Sequence, residues 1–103
     1  MKNYRILIAQ KVIDEDLKNV SDFISNIHTK ETAQAFVKRI LDEIKMLTYL
    51  ADYIPVTDYL DLLKLHPQAK RIITKNGKWT IVFYTEEDFV KVIKIIPSKM
   101  VTE

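Results

Sequence analysis

The chain of 103 residues has no cysteine, a single glycine and three prolines. Without cysteine, disulfide frameworks and thiolate zinc sites are excluded. One glycine is too few for a P-loop or a dinucleotide fingerprint, both of which use several glycines to bring backbone close to phosphate. The two histidines, His28 and His66, stand far apart in different contexts. They read as surface or turn residues and not as a shared metal site. No Ser-His-Asp or Cys-His arrangement is visible. Long apolar runs are missing too: no segment is long enough to span a bilayer. The opening MKNYRILIAQ has too short an apolar stretch for a signal peptide and no small-residue cleavage site. These absences predict a cytoplasmic protein with no membrane segment, no metal and no cofactor.

What is present is ordinary for a globular protein: 48% apolar and 29% charged residues. The length predicts one domain over 1–103, which buries about two thirds of the surface its unfolded chain exposes. A net charge of +2 and a pI of about 8.8 are mildly basic and do not by themselves imply nucleic acid. The placement of the positive charges matters more.

Tyr4 to Ala9 read as a strand, with Ile6 and Ile8 alternating against Arg5 and Leu7. Ile13, Leu17, Val20, Ile24 and Ile27 then recur at helical spacing. Asp14, Glu15 and Asp16 sit in the first turn, where carboxylates suit the positive end of the helix dipole. NIHTKE breaks this helix, and Thr29 is the expected N-cap of the next. In that second helix Ala33, Phe36, Val37, Ile40, Leu41, Ile44 and Leu47 form one apolar stripe. The two helices make an αα-hairpin whose apolar faces need a sheet. Asp52 to Pro67 is open between a short helix and an irregular connection.

Three strands follow: Ala69 to Lys75, Lys78 to Thr85 and Phe89 to Ile96. Asn76-Gly77 predicts a type I′ hairpin turn. The register then sets Lys75 opposite Lys78, Ile73 opposite Thr80, Arg71 opposite Val82 and Ala69 opposite Tyr84. One face carries Ile72, Thr74, Trp79, Ile81 and Phe83, with Lys70 the exception, and is expected under the helix hairpin. The other carries Arg71, Lys75, Lys78, Thr80 and Tyr84. It reads either as a solvated hairpin tip or as an anion-binding surface. The last strand has Lys91, Ile93 and Ile95 on one side and Val90, Val92, Lys94 and Ile96 on the other, which predicts a central strand covered on both faces.

Strand, helix hairpin and three-stranded meander, in this order, resemble the RelE/ParE family of toxins from bacterial type II toxin–antitoxin pairs. YRILIAQKVIDEDLKNVSDFI is similar to the family's opening strand and first helix. ETAQAFVKRILDEIKML resembles its second helix, with Ala33 and Phe36 in an Ala-x-x-Phe arrangement. KRIITKNGKWTIVFY resembles the central hairpin, and VIKIIPSKM the closing strand. The resemblance implies an α+β, RelE-like β-α-α-β-β-β fold, a helix hairpin packed on a mainly antiparallel four-stranded sheet.

It also implies two contrasting activities. RelE-like members cut messenger RNA on the ribosome, which calls for Arg and Lys to stabilise charge on the phosphate and for a tuned acid or base. ParE-like members poison DNA gyrase by binding. Carried over position by position, Arg71, Lys99 and Tyr84 are the candidate catalytic residues, and Lys75, Lys78 and Thr80 the candidate RNA- or partner-binding residues. Ile73 and Pro97 stand where many RNA-cutting members have a second basic residue and a histidine, and neither can carry a proton or a charge. Thr80 replaces an arginine, and Lys99 keeps a charge without the guanidinium fork. The implied function is growth arrest by action on the translation machinery and its mRNA or on DNA gyrase, as an enzyme only in the first case. The alternative is a non-toxic binding domain of the same fold with an acidic protein partner. The implied partners are a cognate antitoxin, in an oligomer with it, and the ribosome or gyrase. Tyr49, Tyr53, Leu60 and Leu63 either face the antitoxin or close the core.

Overall fold

The computed structural model describes residues 3–101. Strand β1 (Arg5–Ile8) leads through a π-helical turn (Val12–Asp16) into helix α1 (Leu17–Ile27). Helix α2 (Lys30–Lys45) follows, then the short α3 (Leu47–Leu50), a 3-10 turn (Ala51–Tyr53) and the single-turn α4 (Leu60–Leu63). Strands β2 (Lys70–Ile73), β3 (Trp79–Glu86) and β4 (Phe89–Pro97) form the meander, and a 3-10 turn (Ser98–Met100) ends it. The sheet order is β1-β4-β3-β2. β1 runs parallel to β4, and the other pairs are antiparallel. This is the α+β architecture that the sequence predicts, with β4 central. No helix among the described residues is long and apolar enough to cross a membrane.

The two long helices form as their sequence spacing dictates. Thr29 caps α2: its Oγ1 accepts the Thr32 backbone N–H at 3.1 Å. Ala33, Ile40 and Ile44 are buried beneath α2, with Phe36, Val37 and Leu41 packed beside them. The first helix departs from its predicted stripe. The π-helical turn inserts an extra residue and shifts the phase, so Val12 and Asp16 turn inward while Ile13 is exposed. Ile27 is also exposed, beyond the edge of the sheet-facing stripe. Leu17, Val20 and Ile24 keep their expected burial.

Under the helices lie Ile6 and Ile8 of β1, Ile72 of β2, Trp79, Ile81 and Phe83 of β3, and Val90, Val92 and Ile95 of β4. Lys70, the charged exception on this face, extends past the core and donates to the Ala51 carbonyl at 2.9 Å. The β4 faces are not those of an unbroken alternation. Val82 pairs with Lys94 and Phe83 with Val92, so Ile93 is an extra residue in a β-bulge. Beyond it the parity reverses: Ile95 joins Val90 and Val92 toward the helices, while Ile96 joins Ile93 on the far side.

The hairpin keeps the predicted pairs Arg71 with Val82 and Ile73 with Thr80, but its turn is wider than a type I′ turn. Thr74 N–H donates to the Trp79 carbonyl at 2.9 Å, which leaves Lys75 to Lys78 as a four-residue loop. Gly77 has φ of +76°, and Asn76 does not share the positive φ that type I′ requires of both central residues. The cause is local hydrogen bonding. Asn76 Oδ1 accepts from Thr74 Oγ1 at 2.6 Å and from Lys78 N–H at 3.0 Å, an Asx-type closure of the loop.

The face away from the helices is also covered. Leu62 of α4, Ala69 and Val82 are buried there, with Tyr59, Ile93, Ile96 and Val101 packed around them. The stretch predicted as helix or irregular is both: the end of the 3-10 turn at Tyr53, irregular chain to Tyr59, then one helical turn, with Thr57 N–H donating to the Ala69 carbonyl at 2.8 Å.

Candidate functional site

The six residues singled out from the sequence do not meet at one point. Arg71 lies on β2, half-buried, with its guanidinium carbon 4.3 Å from the centre of the Tyr59 ring. It borders a cavity of about 510 Å³ that Ile54 to Asp58 and Ile73 also line. Lys75 is exposed at the hairpin tip, and its backbone N–H donates to Glu43 Oε1 at 2.8 Å. It borders a different cavity, about 520 Å³, where Arg39, Asp42 and Glu43 of α2 offset one another's charge.

Lys78 and Lys99 do come together. Both line a third cavity, about 540 Å³, with Phe23, Gly77, Trp79 and Pro97. The tail is held to the hairpin tip by two bonds. Ser98 N–H donates to the Lys78 carbonyl at 2.8 Å, and the Ser98 and Thr80 hydroxyls lie 3.0 Å apart. Thr80, expected on the open face, is fully buried. Its hydroxyl meets that of Ser98, so it anchors the tail and is not presented to solvent.

Tyr84 is half-buried and has a neighbour that the sequence did not suggest. The His66 ring stacks on it in parallel, with centroids 3.7 Å apart and planes 5° from one another. His66 Nδ1 accepts the Gln68 backbone N–H at 3.0 Å, which fixes the ring's orientation. Lys91 lies 5.9 Å from the centre of the Tyr84 ring and pairs with Glu86 at 2.6 Å. The bond to Lys91 lowers the Glu86 carboxyl from its ordinary range, and the bond to Glu86 raises the Lys91 ammonium. The only available signal for His66 was its place in the connection that returns to the sheet just before β2. Pairing it with Tyr84 needed the path of that connection. Among the described residues no group of three or more His, Cys, Asp and Glu side chains is placed to hold a metal ion.

Chemically, the arrangement offers dispersed cations on several faces, one stacked His–Tyr pair and one aromatic-floored cavity with two lysines. It does not converge acid, base and phosphate-binding groups on a single point.

No protein-family model matches the chain, and no curated protein matches it. Among solved structures, a chain described as "Chromosomal ParDE TA system from P. aeruginosa" superposes with a TM-score of 0.76 at 14% sequence identity. The match covers 91% of this chain and 95% of that one. At this identity the likeness establishes the shared fold.

Proposed function

We propose that the chain is the toxin of a type II toxin–antitoxin pair, that it arrests growth by binding DNA gyrase, and that a cognate antitoxin neutralises it. The fold shared with a chain of a ParDE system supports the toxin–antitoxin reading. The observation that carries the binding mode is the dispersal of the candidate residues: Arg71, Lys75 and the Lys78–Lys99 pair border three separate cavities, and Thr80 is buried. RNA cleavage by an internal 2′-hydroxyl needs a base, an acid and charge stabilisation within reach of one phosphate. A binding poison needs only a complementary surface.

Induced expression, with and without the adjoining reading frame, tests this. Growth arrest with inhibited supercoiling by gyrase and intact mRNA is the expected result, relieved by coexpression of the antitoxin. Ribosome-dependent mRNA cleavage would replace this reading with the second one. That second reading draws on the His66–Tyr84 stack beside Lys91, which sets an imidazole against the Tyr84 ring. Normal growth under strong expression would leave a non-toxic binding domain with an acidic partner.

A further inference from the structure

The cavity between α1, the hairpin tip and the tail has three features that the other two lack. Its floor is aromatic and apolar: Phe23 meets Trp79 edge to face, with centroids 6.2 Å apart and planes 81° from one another, and Pro97 closes the side. Phe23 keeps 51% of its surface exposed, so this floor is open to an occupant. Its rim carries Lys78 and Lys99, and among the described residues neither has a carboxylate within ion-pair distance. Finally, the indole N–H of the lining residue Trp79, only 7% exposed, is buried without an acceptor among the described residues, whereas buried indoles ordinarily find one. By contrast, the cavity beside Lys75 balances its cations with Asp42 and Glu43, and the one beside Arg71 has Asp58 on its rim.

We propose that this cavity seats one apolar side chain from an acidic segment of a partner protein. The side chain rests on Phe23, Trp79 and Pro97, while flanking carboxylates pair with Lys78 and Lys99. The volume, about 540 Å³, lies within the range of small binding pockets and exceeds what one large side chain needs. Charge complementarity selects the occupant. Two uncompensated ammonium groups from different chain segments disfavour a neutral or basic segment and favour one whose apolar anchor lies between acids. Because Ser98 ties the tail to Lys78, the two lysines are held as a pair before anything binds. The proposal rests on the antitoxin reading above and identifies where the antitoxin engages.

Trp79 is the chain's single tryptophan, so its emission reports on the cavity directly. The experiment titrates the full chain with the product of the adjoining reading frame and reads Trp79 emission, affinity and salt dependence. The expected result is a change in emission on binding. A Lys78→Ala/Lys99→Ala variant should bind roughly tenfold more weakly, with a shallower salt dependence. Phe23→Ala should also weaken binding, while a Lys38→Ala control on the exposed face of α2 should not. A complex that forms with unchanged emission and unchanged affinity in both variants overturns this proposal and leaves the antitoxin reading standing. No complex at all overturns both. The small anion 8-anilinonaphthalene-1-sulfonate serves as a competitor. If it quenches Trp79 and the adjoining product binds without displacing it, the cavity takes free amphipathic anions and the partner-segment proposal fails.

Discussion

The Asp16 carboxylate accepts the Ile95 backbone N–H at 2.9 Å, and its other oxygen lies 3.5 Å from the Lys94 ammonium. β1 ends its pairing with β4 at Val92, so among the described residues the edge of β4 beyond the bulge has no strand to bond. Asp16, turned inward by the π-helical turn, takes the place of that missing strand. Replacing it with alanine leaves a buried donor unpaired, which should lower stability by about 2 kcal/mol. Asp16→Asn retains an acceptor and should cost under about 1 kcal/mol. Urea denaturation of the three proteins distinguishes these values, and equal losses for Ala and Asn would show that charge, not acceptor geometry, matters here.

Tyr4 Oη donates to Asp52 Oδ1 at 2.5 Å and ties β1 to the 3-10 turn after α3. This bond, and then burial, raise the Tyr4 phenol above its ordinary value. Because the folded value is the higher one, the stabilisation is fully present below the unfolded phenol's value, near 10. It is lost as pH rises through the raised folded value. Tyr4→Phe should therefore be less stable than the parent by about 1 kcal/mol near neutrality. The gap should close in strongly alkaline buffer, which thermal melts across that pH range can follow.

At the hairpin tip, a Cβ on Gly77 would meet no described residue within 4 Å, yet φ is +76°. Gly77→Ala thus isolates backbone strain from crowding. The expected loss is about 1 kcal/mol, whereas Gly77→Asn should lose less because asparagine tolerates this conformation. Stability of the two variants, measured by denaturant midpoint, orders them, and an alanine variant as stable as the parent would contradict the strain.

Thr80→Val removes the hydroxyl that faces Ser98 while conserving shape. Stability should fall by about 1 kcal/mol. Under the toxin proposal, growth arrest on expression should match the parent's, because a buried residue would not touch the target. A Thr80→Val protein that is as stable as the parent but harmless would place Thr80 in the functional surface after all.

Local pattern made much of this molecule legible in the sequence. Thr29 caps α2 through a partner three residues away, and the stripe beneath that helix follows from 3.6-residue periodicity alone. The pairs Arg71–Val82 and Ile73–Thr80 followed from the position of Asn76-Gly77, even though the turn itself is wider than the dipeptide suggested. The candidate site was less legible. Lys78 and Lys99 were each picked out, but Phe23, on the far helix, entered only through its contact with Trp79. His66 sits 18 residues from Tyr84 by number, and nothing periodic links them.

Residues a few positions apart are enough to specify the four strands, the two long helices, their order and the hairpin register. Tertiary structure decided which face each residue of β4 presents and what covers the basic side of the sheet. The Ile93 bulge is secured by Asp16, 79 residues away from Ile95, and one extra residue reverses every side chain that follows. The far face is closed by Leu62, Tyr59 and Val101, from segments with no repeating pattern to announce them. Such contacts are fixed only when distant parts of the chain compete for the same space and the same backbone hydrogen bonds.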